Sequence, residues 1–506
     1  MEVLVAAAAW AASSLGNYLP TQAGAGLLSR WPYSSDLNTA DDLTKRLSSG
    51  ARVYWPGSEG FDASTARWST QDAPNITITV EVSTEADVVE TVKFANKYGK
   101  PFLAVNNGHG AITTVGKLQN GIEIWMRQLN SVKIAADGKT ATFGGGILAK
   151  GVTDGLWAAG KQTVTGGCEC VSIVGPGLGG GHGFLQGRYG LISDQFVSLN
   201  VVKADGKLVT VDRNHEMFWA LQGAGHNFGI VTSITAKIYD VTRPKWAYKS
   251  FIFTGDKVEA LYTNINEKLL KNGTQPVDVI NYSFYFFNPA VDPVNPVIAF
   301  YILQEGVDAV AEEYTTPFTS LGPVASEGEG GDYRDLPRWT GNHNEGPVCT
   351  KAGLANIRFP IDLQVYDIPA QRKVYDVFAS TLKQTPAFSN SLCLFEGYSL
   401  QGVKAIPSKS TAFPFRDSNL LVAPLIIYKE DGEELGKKAQ AFGTELRDIL
   451  HKASGRTELR AYVNYAFGNE GARQWYGYEQ WRQDKLRALK RKFDPQGKFS
   501  FYAPIA

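Results

Sequence analysis

The chain has 506 residues, 43% of them hydrophobic and 12% aromatic. It is too long for a single core and too apolar for a disordered chain, so two or more packed domains are expected. Lys plus Arg total 50 and Asp plus Glu total 50, giving a formal net charge of zero. That balance excludes the broad basic surface on which nucleic-acid or anionic-membrane binding depends.

The N-terminal run MEVLVAAAAWAASSLG is apolar and then small, like the core of a signal peptide, but it lacks the basic residues that usually precede one. Residues 1–44 are read as a leader or signal segment, which leaves a secreted and a cytoplasmic location both open. Passage through the secretory pathway would turn Asn75-Ile-Thr, Asn272-Gly-Thr and Asn281-Tyr-Ser into glycosylation sites. No other stretch is long and apolar enough to span a bilayer. The four cysteines, Cys168, Cys170, Cys349 and Cys393, are too few for a disulfide scaffold and lack zinc-site spacing. No metal site is expected.

From residue 76, strand and helix signals alternate. ITITVEV is a β-branched run, and Thr84 with Glu85 and Asp87 opens a helix whose apolar face carries Val88, Val89, Val92 and Ala95. PFLAV is a second strand, ending in the turn Asn106-Asn107-Gly108-His109-Gly110. GIEIWM and SVKIAADGKTATFGGG read as strands, followed by a helix in ILAKGVTDGLWAAG. The segment TVTGGCECVSIVGPGLGGGHGFLQGRYGLISDQF is dense in glycine and has no helical period, so it is expected to be an extended glycine loop. VSLNVVKADGKLVTVD reads as a hairpin around Asp205-Gly206, and FWALQGAGHNFGIVTSITAKIYD as a short helix, a glycine turn and a strand.

Beyond residue 242 the pattern changes. The strands YSFYFFNP and VIAFYIL are accompanied by helices in DKVEALYTNINEKLLKN, PAQRKVYDVFASTLKQ and EELGKKAQAFGTELRDIL, which reads as a sheet with helices on one face. SEGEGGDYRDLP is expected to be an exposed loop.

Gly175, Gly177 and Gly180 formally match the dinucleotide spacing GxGxxG, with Asp194 downstream for a ribose contact. The flanking strand and helix that fingerprint requires are missing, so a nicotinamide Rossmann domain is rejected. Glycines that let successive amides approach a pyrophosphate remain a sound physical reading.

Taken together, the Asn107-Gly108-His109-Gly110 turn, Cys168 ahead of the Gly179-Gly180-Gly181-His182-Gly183 run, NHEMFWALQGAGHNFGIV with Gly229 and Ile230, and the closing AYVNYAFGNE and KRKFDPQGKFSFYAPI resemble the berberine bridge enzyme-like family. That family belongs to the FAD-linked oxidases with the vanillyl-alcohol oxidase, or PCMH-type, FAD domain. The resemblance implies an α+β fold: a two-subdomain FAD-binding domain over residues 45–242, and a substrate-binding domain over 243–455 with an antiparallel sheet covered by helices. A C-terminal segment, 456–506, would return to the FAD domain.

The resemblance further implies FAD joined covalently to His109 and, in a bicovalent arrangement, to Cys168. An imidazole and a thiolate suit this role because each must add to an electron-poor flavin carbon. Cys168 could instead be a buried thiol or pair with Cys349 or Cys393, and Cys170 competes for either position. Asn107, Gly108, Gly110, Gly175, Gly179, Gly180, Gly181, Gly183, Gly229, Ile230 and Asn464 complete the implied cofactor set. His182, His215 and His226 read as loop-stabilising residues.

Two departures from the family pattern stand out. The arginine and second glycine common ahead of the histidine are replaced by Val105-Asn106-Asn107-Gly108. The carboxylate or amide that often follows the Phe-Pro-His-Arg-like motif, here Phe413-Pro414-Phe415-Arg416, is missing from LLVAPLII near Pro424. Tyr462-Val463-Asn464-Tyr465 matches the C-terminal motif from which family oxidases present a tyrosine near the flavin, so the resemblance implies Tyr465, and after it Tyr462, as the candidate catalytic residues, unless they merely alternate along a strand. A phenol with a pKa of about 10 would need a neighbouring cation to act as a base.

The implied activity is hydride transfer from an alcohol, sugar or secondary-metabolite substrate to flavin, with reoxidation by oxygen, in a monomer. The alternatives are a biosynthetic dehydrogenase or oxidative cyclase, and an inactive flavin-fold binding protein.

Overall fold

A computed structural model describes residues 42–505. Most of the leader, residues 1–41, lies outside the described residues. Among the described residues, no helix is long and apolar enough to cross a membrane.

The first sheet has three parallel strands, Ile76–Glu81, Gly121–Trp125 and Phe102–Val105, with Arg52–Tyr54 antiparallel at one edge. Helix Glu85–Lys97 packs on it through Val88, Val92 and Ala95, which join Val80, Ile122 and Ile124 in one core. It begins where expected, because Thr84 and Asp87 cap one another reciprocally. The second sheet is antiparallel, in the order Val132–Ile134, Thr140–Gly144, Ile230–Lys237, Phe196–Val202, Leu208–Asp212. Glu85 ties the two sheets together, since its carboxylate accepts from Asn200 Nδ2 at 3.1 Å and from Ser233 Oγ at 3.0 Å.

The third sheet is larger and antiparallel. Its strands run Ala325–Asp332, Lys245–Phe253, Val297–Glu305, Val279–Phe286, Leu392–Gly397, Leu420–Tyr428 and Ala355–Arg358, with Ile361–Leu363 also paired to Leu420–Tyr428. Helices Ile368–Gln384 and Gly432–Ala453 cover one face, burying Phe378 and Phe442 against Tyr285 and Phe395. Because strand side chains alternate, Tyr282 and its cross-strand partner Glu396 point the other way, and Tyr282 joins the core around the second sheet.

The last residues pack back onto the beginning of the chain. Lys490 Nζ donates to Asn227 O at 2.9 Å, Phe499 meets Phe102 edge to face, and Thr114 Oγ1 donates to Phe501 O at 2.9 Å.

Four expectations need correction. The glycine-dense segment is not one extended loop: it forms short helices at Val174–Leu178 and Gln186–Tyr189, because close tertiary packing sets its backbone rather than any amphipathic period. SEGEGG is not a loop but the edge strand Ala325–Asp332, whose ladder with Lys245–Phe253 supplies what its glycines cannot. Tyr462 and Tyr465 lie in a turn, not a strand, with rings 5.2 Å apart. Asn281 is buried and its amide donates to Gln275 Oε1, so a glycan cannot be accommodated there in the folded molecule.

Candidate active site

The histidine turn begins where strand Phe102–Val105 ends. Trp125 Nε1 donates to Asn106 O at 3.0 Å, and Asn107 Nδ2 donates to Cys170 O at 2.9 Å. Gly108 has φ of 66°, and a Cβ there would lie 2.9 Å from Ala66 O, so both conformation and space demand glycine. The His109 ring stacks on Trp68 with centroids 5.4 Å apart and planes 18° apart. Arg67 Nη2 donates to Gly110 O at 3.4 Å. A guanidinium thus reaches this turn from another segment, although the arginine is missing ahead of the histidine.

Burial pushes the His109 imidazole down to about 3, with Arg358, Lys351 and Arg67 adding repulsion. The ring is neutral at physiological pH. His109 Nε2 lies 3.2 Å from Cys170 Sγ.

Cys170 is bonded to Cys349 across 179 positions, and Cys168 is a free thiol. The disulfide therefore joins Cys170 to Cys349 and leaves Cys168 unpaired with either. His109, Cys170 and Cys349 are close enough to suggest a metal site, but the two sulfurs are bonded to each other. Cys168 Sγ donates to Asn342 Oδ1 at 3.4 Å, and burial pushes its thiol up to about 11.

Glu396, on strand Leu392–Gly397 of the large sheet, lies near Tyr398, Tyr465 and Arg358. It is buried, and its Oε2 accepts from the Tyr398 hydroxyl at 2.6 Å. Burial raises its carboxyl above the usual range, opposed by the Tyr398 and Tyr465 hydroxyls and by Arg358. Tyr465 is near enough to exert that effect, yet Oε1 has no partner in hydrogen-bond geometry.

The Arg358 guanidinium lies 4.3 Å from the ring centroids of both Trp68 and Tyr465. Tyr462 faces elsewhere: its hydroxyl accepts from Asn464 Nδ2 at 2.6 Å and from His182 N at 3.3 Å. Burial raises both Tyr462 and Tyr465 well above the ordinary phenol.

The glycines fall into two groups. Gly175 opens into a cleft between the first two sheets, where it is joined by Asn106, Gly145, Gly229, Ile230 and Tyr502. His226 Nε2 donates to Gly175 O at 2.9 Å, and the imidazole stacks on Tyr502. Gly179, Gly180, Gly181 and Gly183 serve packing instead: a Cβ on them would strike Asn464, Phe413, Ile192 and Thr165 O respectively. The amides of Gly179, Gly180 and Gly183 are engaged by Pro176 O, Gly177 O and Gln186 Oε1. Gly110 lies against Tyr502.

The cleft fits FAD. Among its lining residues, the buried polar atoms Asn106 Oδ1 and His226 Nδ1 have no protein partner, and at the adjoining histidine turn Arg67 Nη1 is likewise unpartnered.

Glu396, Tyr398, Arg358 and Trp68 escaped the sequence reading. The only signals were a lone acid in the apolar run LCLFEG and a lone arginine in ANIRFP.

A two-sheet FAD domain set against a large antiparallel sheet, with a histidine turn at their junction, defines a flavin-dependent oxidoreductase. The FAD binding domain family matches residues 76–212. The chain is 51% identical over 506 residues to the FAD-linked oxidoreductase chyH of Penicillium rubens, covering all of both chains. It is 54% identical over 476 residues to the FAD-linked oxidoreductase chry5 of Gibberella zeae, covering 92% of this chain and 94% of that one. Among solved structures it resembles Physcomitrella patens BBE-like 1, with a TM-score of 0.76 at 20% identity, covering 92% of this chain and 99% of that one. A similar likeness, with a TM-score of 0.75 at 18% identity, extends to a xylooligosaccharide oxidase from Myceliophthora thermophila and covers 92% and 98%. The chain belongs to the FAD-linked oxidoreductases, and it shares the fold of the berberine bridge enzyme-like structures.

Proposed function

We propose that this oxidoreductase removes a hydride from a small alcohol, sugar or secondary-metabolite substrate, with Glu396 as the general base and His109 as the covalent anchor of FAD. The observation that carries this reading is the Glu396 carboxylate. It is buried, held on one oxygen by Tyr398 at 2.6 Å, and unpartnered on the other.

FAD, when bound, supplies the two-electron acceptor, and oxygen would reoxidise it. The protein's own groups handle the proton. Glu396 Oε1 is positioned to take a proton from a substrate hydroxyl or amine, and burial raises its basicity toward that task. Tyr398 orients the carboxylate. Tyr465, with Arg358 against its ring, lies beside Glu396 and supports binding of the substrate oxygen. The aromatic rings of Tyr282 and Tyr398 exclude water from the substrate face. His109 is neutral and so offers a nitrogen lone pair for attachment. Cys168 is the one free thiol near the site, where a second link could form.

The test is Glu396→Gln. Anaerobic flavin reduction by substrate should slow by about 100-fold or more, while the flavin spectrum stays that of the parent. Reduction at the parental rate would remove Glu396 from this role. A dehydrogenase or cyclase in place of an oxidase would be recognised by dye reduction without matching peroxide release.

A further inference from the structure

Residues 66–70 are stitched to two different parts of the molecule. On one side, Trp68 N donates to Gly108 O at 3.0 Å in the histidine turn. On the other, Asn356 Nδ2 donates to Trp68 O at 2.5 Å, Asn356 N donates to Ser69 Oγ at 2.9 Å, and Thr70 N donates to Leu354 O at 3.0 Å. The second set of partners belongs to the large sheet's Ala355–Arg358 strand and the residue before it. The segment is therefore a wedge between the turn and the sheet.

The side chains repeat this arrangement as a stacked column. The His109 imidazole lies 5.4 Å from the Trp68 ring, Trp68 lies 4.3 Å from the Arg358 guanidinium, and Arg358 lies 4.3 Å from the Tyr465 ring. A guanidinium sandwiched between two aromatic faces is favourable and directional. It fixes the plane of the indole, and the indole fixes the plane of the imidazole. At the imidazole edge, Cys170 Sγ sits 3.2 Å from Nε2 and limits ring rotation.

We infer that Trp68, clamped by Arg358, is the positioning residue for flavin attachment: it holds His109 in the one orientation from which the bond to the cofactor forms. The inference rests on the reading of His109 as the attachment residue. In the reaction, an imidazole nitrogen bonds to the carbon of the flavin 8α methyl. One methyl C–H and the imidazole N–H are broken, and their two protons and the two electrons reside on the flavin, which is thereby reduced. Dioxygen then removes them as hydrogen peroxide. Such an addition tolerates little misalignment, since a shift of about 1 Å can cost about 100-fold in rate. Packing alone gives Trp68 no reason to act on this rate, and that difference separates the two roles.

The experiment uses the full-length chain produced under riboflavin limitation, incubated aerobically with FAD and sampled over time. Intact mass reports covalent FAD, and acid-released FAD reports the non-covalent fraction. Trp68→Ala should bind FAD with its circular dichroism unchanged and form the covalent adduct about tenfold more slowly. Trp68→Phe, which keeps a stacking ring, should recover most of the rate. Arg358→Met keeps the residues of the turn and the indole itself but removes the guanidinium that clamps the indole's plane, and should also slow attachment.

Attachment at the parental rate in a folded Trp68→Ala protein would overturn the inference. Should that variant not fold, parental attachment in Arg358→Met would overturn it. Failure of the underlying reading looks different: the parent protein itself would carry no covalent FAD, or would carry it on a peptide lacking His109.

Discussion

Asp194 grips Arg416 with two parallel hydrogen bonds, Nη2 to Oδ1 at 2.8 Å and Nη1 to Oδ2 at 3.0 Å, although 222 positions separate them. Both side chains are nearly sealed from solvent, 1% and 4% exposed. The pair fastens the end of the glycine-dense segment to the Phe413-Pro414-Phe415-Arg416 motif, and Phe413 in turn lies against Gly180. Asp194 is therefore a structural anchor, with no part in ribose recognition. Arg416→Ala should destabilise the protein by about 3–5 kcal/mol, because the buried carboxylate loses the cation paired with it. Thermal unfolding of the variant measures this, and a melting midpoint within a degree or so of the parent would contradict it.

The pH dependence of turnover should report Glu396. A base works only when ionised, and burial raises this carboxyl above its ordinary range. The kcat/KM profile should therefore fall on the acid side with an inflection above the usual glutamate value, and that limb should vanish in Glu396→Gln. Tyr465→Phe should keep the acid limb and lower the plateau.

His109→Ala should abolish covalent flavin. Intact mass would equal that of the polypeptide alone, and acid precipitation would leave all FAD in the supernatant. A flavin-bearing peptide containing Cys168 that survives this substitution would show that the thiol forms a link independently.

The Cys170–Cys349 disulfide closes a loop of 179 positions. Replacing both cysteines by Ala should cost about 2–4 kcal/mol through the added freedom of the unfolded chain. A matching fall in melting midpoint should appear when the parent is treated with dithiothreitol.

Glu123 gives a stability prediction of the opposite sense. It is buried, both carboxylate oxygens lack partners, and burial pushes it up to about 7 with Arg67 and Lys351 opposing. The folded state thus holds a proton that the unfolded chain releases near the ordinary value of 4.5. The resulting stability is complete below that value and is lost as the pH rises through about 7. Glu123→Gln should be more stable than the parent at about pH 8, by on the order of 3 kcal/mol, and the gap should close toward about pH 4. Parallel melting curves across that range would refute this.

What could be read in the sequence was local. Helix Glu85–Lys97 announced itself through Thr84 and Asp87 because a cap is decided within one turn of chain. The Asp205-Gly206 hairpin did so through turn chemistry, and the histidine turn through Gly108, whose positive φ few other residues accept. The edge strand at Ala325–Asp332 was illegible, since its glycines deny any intrinsic strand preference and only pairing with a distant strand creates it.

The sequence by itself determined the α+β alternation, the glycine and histidine positions and the family, because periodicity, capping and turn conformation are properties of neighbouring residues. Tertiary structure alone decided that Cys170 pairs with Cys349, that Arg67 reaches the turn the missing arginine would have served, and that Glu396 and Arg358 both come to lie beside Tyr465. These choices depend on which surfaces of separate segments come into contact when their apolar faces are buried. Burial is non-directional along the chain, so no spacing in the sequence records which distant partner each side chain meets.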